Sequence, residues 1–173
     1  MIVVRQEQAG EAPLIDAVIA AAFGRRDEAR LVSALRAYTD GFASFVVVED
    51  GEIIASAVLT PVMIEGDREA LGLRLAPVAV APPHQRRGIG TALVRHSLAR
   101  SKHGGFAFVV VLGDSGYYRR FGFRPAANFG LSSDLGVPGG AFQAMELWPK
   151  ALVKRSGRVL CAPECALALD YLV

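Results

Sequence analysis

One short segment of the chain, APPHQRRGIGTALVRH at positions 81–96, combines residue types that can hold an anion. Two adjacent prolines end the preceding element, and two arginines and two glycines then open an amphipathic helix. The N–H groups at a helix start have no intrahelical partner and carry a partial positive charge. Glycine lets a ligand approach that backbone closely, and the segment contains no Asp or Glu to repel it. These features predict a cradle for a phosphate or a pyrophosphate.

Two familiar phosphate-binding motifs do not fit this segment. A P-loop requires a Lys followed by Ser or Thr after its second glycine, and the segment has no such pair. A dinucleotide fingerprint requires a third glycine and an acidic residue about twenty positions further on. Leu93 stands where that glycine is expected, and residues 104–112 contain no acid. A dinucleotide-dependent oxidoreductase is therefore disfavoured.

A third motif does fit. The residues QRRGIG, Gln85 to Gly90, match the Q/R-x-x-G-x-G/A signature of the GNAT superfamily of N-acetyltransferases. Downstream, YYRRFGF matches the Y-x-x-x-G-F segment of that superfamily, with Tyr118 as the tyrosine. The chain resembles a bacterial branch of predicted small acetyltransferases. The segment VLGDSG departs from the pattern, because it lacks the Asn that many members carry before the tyrosine.

The resemblance implies that acetyl-CoA is the cofactor, and it assigns residues to the binding of that cofactor. The backbone of Val78, Ala79 and Val80 is expected to pair with the pantetheine arm, as a strand edge pairs with an extended peptide. The signature is expected to hold the pyrophosphate through backbone N–H groups, assisted by arginine side chains. The residues assigned to this part of the cofactor are those of the signature and the residue after it: Gln85, Arg86, Arg87, Gly88, Ile89, Gly90 and Thr91, with the N–H groups coming from Arg86 to Thr91. An ordinary basic helix start is the alternative interpretation.

The implied reaction is the attack of an amine on a thioester. It requires a neutral amine, stabilisation of an oxyanion and a proton for the departing thiolate. The resemblance makes a backbone N–H near Val80 the expected oxyanion donor and Tyr118 the expected acid. Packing under the cofactor is the alternative role for Tyr118, and packing is the expected role of Tyr117. Proton transfer from a tyrosine near pKa 10 to a thiolate near 8.5 is uphill by roughly 2 kcal/mol. Positive charge from Arg119 or Arg120 is one way to reduce that difference.

The general base is left open by the sequence. Glu28, Glu65, Asp114 and His84 are candidates by residue type. Three have structural alternatives, since Glu28 begins a helix, Asp114 suits a helix cap and His84 lies in a loop. Family members often deprotonate the amine through water, so a dedicated side chain is not required.

The elements that must position these residues follow the order β, α, α, three strands, α, β, α, β, which is typical of one α/β domain. Asp27 is expected to cap the second helix and Gly41 to end it, with Leu31, Leu35 and Tyr38 on one side. Predicted strands occupy 1–6, 71–81, 106–112 and 141–149, with two more within 42–64 around Asp50-Gly51; predicted helices occupy 11–23, 27–41, 88–102 and part of 113–123.

The resemblance implies the GNAT (acyl-CoA N-acyltransferase) fold, a mixed twisted β-sheet flanked by helices. A single domain is expected over 1–173, with a core of about 1–150 and a C-terminal extension of about 150–173. The last residues of that extension, CALALDYLV, fit either a strand or a helix.

Composition excludes few function classes but sets useful bounds. The chain has 173 residues, of which 52% are hydrophobic and 21% are charged, and a formal net charge of +2, so nothing demands nucleic acid or a membrane surface. Basic residues gather at 85–103 and 118–124. No apolar run approaches the ~18 residues of a membrane span, and without an export signal a cytoplasmic location is expected. Cys161 and Cys165 lack the second Cys or His pair of a metal site, so no metal is expected.

The sequence thus predicts an acetyl-CoA-dependent N-acetyltransferase that acts by direct attack of a primary amine of a small molecule or peptide. A non-catalytic acyl-CoA-binding sensor or regulatory module is the alternative, because it would keep the phosphate cradle without the acid. The identity of the acceptor is not determined, and the choice between a monomer and a homodimer is not determined either.

Overall fold

The computed structural model describes residues 1–137 and 140–166. Its strands are β1 (Ile2–Gln6), β2 (Ala43–Glu49), β3 (Glu52–Ile64), β4 (Asp67–Val80), β5 (Phe108–Leu112), β6 (Arg124–Pro125), β7 (Leu131–Ser133), β8 (Phe142–Glu146) and β9 (Gly157–Leu160). Its α-helices are α1 (Ala12–Phe23), α2 (Asp27–Tyr38), α3 (Ile89–His103) and α4 (Ser115–Tyr118). The predicted order of elements is confirmed, and the short strands β6, β7 and β9 add to it.

The described residues fall into two compact units. The first unit comprises 1–60, 76–97 and 163–166, and the second comprises 61–75 and 98–162. Three elements, β3, β4 and α3, contribute residues to both units. The single domain over 1–173 stays a prediction.

In the first unit, β1, β2 and β3 form an antiparallel sheet in that order. The β2–β3 hairpin turns at Asp50 and Gly51, whose φ angles of 50° and 89° are those a two-residue type I′ turn requires. The helices α1 and α2 pack against this sheet through a shared apolar core: Ile15, Ile19, Ala29, Val32, Val46, Val58 and Ala79. The apolar spacing that predicts both helices therefore marks the side chains that face this core.

The ends of α2 differ from the prediction. Asp27 is the first helical residue and not the cap, since Arg26 occupies the cap position without a side-chain hydrogen bond. The helix ends at Tyr38, before Gly41. The Tyr38 side chain is 78% exposed, whereas Leu35 is buried. The buried stripe of α2 therefore ends at Leu35, and Tyr38 in the last turn lies on the protein surface.

In the second unit the sheet is mixed. Strands β4 and β5 pair in parallel, while β5 pairs with β8 and β8 with β6 in antiparallel fashion. Strand β9 pairs antiparallel with β3 and parallel with β7. Residues 108–111 of β5 are all buried, which confirms a strand covered on both faces. The predicted mixed sheet of an α/β fold is thereby confirmed.

The C-terminal extension is described in part. It contains β9, and Cys161 is half-buried while Cys165 is buried. Most of CALALDYLV lies outside the described residues, because the description ends at residue 166.

Candidate functional site: the β4–α3 loop and the Tyr118 segment

The loop between β4 and α3 begins by folding back on its own strand. A 3₁₀ turn covers Pro82–His84, and the Gln85 side chain then donates from Nε2 to the Val80 carbonyl oxygen at 2.9 Å. The Ala81 N–H donates to the Ile54 carbonyl oxygen of β3 at 2.9 Å. The first residue of the signature therefore ties the loop to the end of β4.

The loop adopts left-handed backbone angles at two positions. The φ angles of Arg86 and Gly88 are 60° and 79°. Glycine takes this conformation at no steric cost, whereas for arginine it is uncommon. A Cβ atom added at Gly88 would meet no atom within 4 Å, so the backbone there faces open space. An exposed backbone of this kind is what an approaching phosphate group requires.

The start of α3 is buried on one side and exposed to solvent on the other. The Ile89 side chain is 5% exposed, whereas residues 85–88 are exposed. The Ala92 N–H donates to the Gly88 carbonyl oxygen at 3.0 Å, which marks the first helical hydrogen bond. The N–H groups that precede Ala92 have no intrahelical acceptor. The side chain of Ile89 therefore holds in place a turn whose N–H groups remain available to an anion.

Residues Val78, Ala79 and Val80 form the end of β4. Ala79 is buried, and the other two are half-buried. In the second unit, β4 pairs with β5 over Gly72–Arg74. The strand continues for six residues beyond Arg74, and these include the three residues that the sequence assigns to the pantetheine arm.

An acidic side chain lies beside the loop although the segment 81–96 contains none. Glu49 of β2 accepts two hydrogen bonds from Arg87, at 3.0 and 2.7 Å, and its carboxylate lies 3.0 Å from His84 Nδ1. Arg87 Nη1 is also 3.0 Å from His84 Nδ1. The pairing with Arg87, and more weakly with His84, lowers the pKa of Glu49 from its usual value. The charge of Arg87 is therefore compensated by a carboxylate that comes from outside the acid-free segment 81–96.

Glu49 is the residue of this cluster that sequence reasoning missed. It stands directly before the Asp50-Gly51 turn, 38 positions from Arg87, and no motif links the two. Strand pairing and the loop after β4 bring them together, so only the folded chain reveals the contact.

In the second unit, Tyr118 ends the short helix α4. Asp114 caps this helix and accepts a hydrogen bond from the Gly116 N–H at 2.8 Å. The cap predicted at Asp114 is therefore confirmed, unlike the cap predicted at Asp27. The Tyr118 ring packs edge-on against Tyr117 and Phe123, with centroids 5.0 and 5.7 Å apart. A Cβ atom added at Gly113 would lie 3.0 Å from the Tyr118 ring, so glycine permits the close approach.

The environment of Tyr118 keeps its phenol protonated. Burial, with a smaller contribution from Tyr117, raises the pKa of Tyr118 from 10.0 to about 12. Neither Arg119 nor Arg120 contributes to this shift. The Arg120 guanidinium stacks on the Tyr117 ring at 4.6 Å and donates to the Tyr117 carbonyl oxygen at 2.9 Å. The expected help from these arginines is therefore absent among the described residues.

The four candidate general bases all have structural partners. Glu28 pairs with Arg25, and Glu65 accepts from Arg158 at 3.2 and 2.9 Å. Asp114 is the cap of α4, and His84 belongs to the Glu49 cluster. Each contact gives its residue a structural role that requires no part in catalysis.

Residues 1–137 and 140–166 offer neither a metal-binding cluster nor a membrane-spanning helix. In that part of the chain, no group of three or more His, Cys, Asp or Glu side chains is arranged to hold a metal ion. Within the same ranges, each helix is too short or too polar to span a bilayer.

Comparison with known proteins agrees with this architecture. The family model described as "Acetyltransferase (GNAT) domain" matches residues 3–126. The uncharacterized N-acetyltransferase YhbS of Escherichia coli strain K12 is 34% identical over 161 residues, which are 91% of this chain and 95% of YhbS.

Two crystal structures resemble the chain over most of their length. Escherichia coli YhbS in complex with CoA has a TM-score of 0.89 and 33% identity, covering 95% of this chain and 91% of that one. A GNAT family acetyltransferase from Brucella melitensis in complex with acetyl-CoA has a TM-score of 0.78 and 32% identity, covering 95% and 98%. The predicted fold is therefore confirmed, and the chain belongs to the GNAT family of N-acetyltransferases.

Proposed function

We propose that the chain binds acetyl-CoA and transfers its acetyl group to a primary amine of a small molecule or peptide. The observation that carries the proposal is the start of α3, where Gly88 turns an exposed backbone with unpaired N–H groups towards open space. The N–H groups of residues 86–91 hold the diphosphate of the cofactor. The CoA and acetyl-CoA complexes of the two similar proteins support this assignment.

The side chains of the signature divide between binding and support. Gln85 fastens the loop to Val80, and Arg87 is held by Glu49. Arg86 is exposed and has no ion pair among the described residues, so its guanidinium is the one that assists the diphosphate. Ile89 anchors the first turn of α3 in the core. Gly90 and Thr91 contribute backbone N–H groups.

The end of β4 takes the pantetheine arm. The backbone groups of Val78, Ala79 and Val80 form an extended segment that can pair with the amide groups of that arm. The Val80 N–H is positioned in this assignment to stabilise the oxyanion. A strand end held in place by its sheet supplies such a donor without reorganisation during the reaction.

Tyr118 protonates the departing thiolate. Acetyl-CoA supplies the thioester carbon that the amine attacks. With a Tyr118 pKa of about 12, transfer to a thiolate of ordinary pKa near 8.5 is uphill by about 5 kcal/mol. Burial raises the pKa of a thiol as well, which narrows this difference. The phenol therefore gives up its proton as the sulfur leaves, and not before.

Water serves as the base in this proposal. The carboxylates of Glu28, Glu65 and Asp114 and the ring of His84 all have structural partners. An amine with a pKa near neutrality at the site needs only a solvent path to lose its proton. The cytoplasmic location and the homodimer stay predictions.

A turnover screen tests the proposal. Acetyl-CoA is incubated with the protein and a panel of primary amines, both small molecules and peptides, and thiol release is recorded. Amine-dependent thiol release is expected for at least one class. Tight CoA binding without amine-dependent release over the panel would favour the regulatory module, and absence of CoA binding would overturn the proposal.

A further inference from the structure

A cavity of about 530 Å³ lies in the second unit, between α4, the turn that follows it, β6 and one residue of β8. This volume falls within the roughly 300–1,000 Å³ of typical small-ligand sites. Its polar lining consists of Ser115, Arg119, Arg124 and Gln143. No carboxylate is among the residues that line it.

The two arginines of this cavity differ from the other arginine of the segment. Arg120 stacks on Tyr117 and donates to its carbonyl oxygen. Neither Arg119 nor Arg124 forms an ion pair or a side-chain hydrogen bond with any residue of 1–137 or 140–166. Two like charges that share one cavity repel each other, and an anion between them would reverse that cost.

Local chain geometry explains why these side chains converge. Ser115 and Arg119 are four residues apart along a helical turn and so lie on one side of it. Gly122 then takes a φ of 102°, which reverses the chain direction. Arg124 follows in β6, where Pro125 pairs with Gln143 of β8.

Gln143 provides a buried polar group at the wall of the cavity. Its side chain is 1% exposed, and Nε2 donates one proton to the Gly113 carbonyl oxygen at 3.2 Å. The amide group carries two N–H protons. The second has no acceptor among the described residues, and a buried unpaired donor costs free energy unless a ligand satisfies it.

We propose that this cavity binds an oxyanion, a phosphate or a carboxylate, through the guanidinium groups of Arg119 and Arg124. The Ser115 hydroxyl and the Gln143 amide complete the donor set. The inference rests on the proposed function, because the anion belongs either to the 3′-phosphate of the cofactor or to an acidic group on the acceptor. In both cases the cavity favours a ligand that carries an anionic group.

The experiment uses the full chain and the double variant Arg119→Gln, Arg124→Gln. Arg120→Gln is the matched control, since it removes one positive charge from the same segment without touching the cavity lining. Arg119→Lys, Arg124→Lys keeps the charge and tests whether the planar guanidinium is required. Thermal unfolding of each variant shows that it is folded.

Inorganic phosphate tests the cavity itself, and two pairs of ligands separate the sources of the anion. Inorganic phosphate is tested by its stabilisation of the protein against heat. CoA is compared with dephospho-CoA by calorimetry, and O-phosphoethanolamine is compared with ethanolamine by KM in the thiol-release assay. The wild-type protein is expected to be stabilised by phosphate, and the double Gln variant is expected to lose that stabilisation while Arg120→Gln keeps it.

The two sources of the anion predict different binding results. If the 3′-phosphate occupies the cavity, the double Gln variant loses at least about tenfold in CoA affinity and nothing in dephospho-CoA affinity. If an acidic acceptor occupies it, both cofactor affinities stay unchanged and the preference for O-phosphoethanolamine over ethanolamine disappears.

Unchanged phosphate stabilisation together with unchanged cofactor and acceptor preferences in the double Gln variant would overturn the inference. A wild-type protein that binds neither CoA nor dephospho-CoA would instead refute the proposed function. The phosphate measurement tests the cavity independently of the proposed function, because it requires neither turnover nor cofactor.

Discussion

The β4–α3 loop and the Tyr118 segment, residues 114–125, are both rich in arginine, yet the fold uses their charges differently. In the loop, Arg87 is neutralised by Glu49 and the exposed feature is the backbone around Gly88. In the segment, the lining residues Arg119 and Arg124 keep their charge in a cavity without a carboxylate. A basic stretch of sequence therefore does not show which atoms meet an anion.

In the two proposals, the two regions hold anions by different physical means. Backbone N–H groups at a helix start are fixed in direction by the helix and cannot be removed by a side-chain substitution. Guanidinium groups are mobile, and their contribution depends on salt and on substitution. The loop is expected to respond mainly to changes at glycine, and the segment to changes at side chains.

The largest expected effect concerns chemistry in the Tyr118 segment. Tyr118→Phe is expected to lower kcat by ~10²–10⁴ while CoA affinity stays within about twofold, because the variant loses only the proton donor. Tyr117→Phe is the matched control, since it removes the neighbouring hydroxyl and keeps the ring that packs on Tyr118. Steady-state kinetics and calorimetry measure the two quantities. Unchanged turnover in Tyr118→Phe would mean that Tyr118 is not the acid.

The second effect concerns binding in the loop. Gly88→Glu is expected to lower CoA affinity at least about 100-fold, since it strains a left-handed φ and places a carboxylate at the helix start. Gly24→Glu is the control, because Gly24 also has a positive φ and open space around its Cβ position, at the end of α1. Calorimetry with CoA measures both. Equal affinities in the two variants would remove the diphosphate from this loop.

The third effect is a titration of the Tyr118 phenol. Its pKa of about 12 is roughly two units above an ordinary tyrosine. Tyrosinate absorbance is expected to show one phenol that ionises near pH 12, and Tyr118→Phe is expected to remove that step alone. The folded chain holds this proton between about pH 10 and 12 and the unfolded chain does not, so the free energy of unfolding falls as pH rises through that window. A Tyr118→Phe titration identical to wild type would contradict the buried phenol.

The smallest effect concerns Arg87. Arg87→Gln removes the arginine that pairs with the Glu49 carboxylate and leaves His84 Nδ1, at 3.0 Å, as its neighbour. The less compensated negative charge beside the loop is expected to weaken CoA binding about two- to fivefold through repulsion. Glu49→Gln in the same chain is expected to restore the affinity, because it removes the repelling charge. A far larger loss that Glu49→Gln does not rescue would show that Arg87 contacts the diphosphate directly, and the two regions would then resemble each other.

Much of the fold could be predicted because the relevant signals are local. The Asp50-Gly51 hairpin, the buried strand β5 and the Asp114 cap each depend on residues that are close together in the chain. The start of α2 was misassigned, since Asp27 is suitable both as a cap and in the first turn, where its charge complements the dipole. Local preference alone does not distinguish the two positions.

The candidate site also combines features that the sequence shows and features that only the tertiary structure shows. The sequence by itself determined the signature loop, the glycine at position 88 and the tyrosine at position 118, because helix starts, left-handed turns and the family motif are properties of short segments. Only the tertiary structure decided that Glu49 neutralises Arg87, that Tyr118 is buried enough to raise its pKa, and that Arg119 and Arg124 share a cavity. Charge pairing and desolvation depend on tertiary contacts between residues that are distant in the chain, and these contacts cannot be inferred from local sequence.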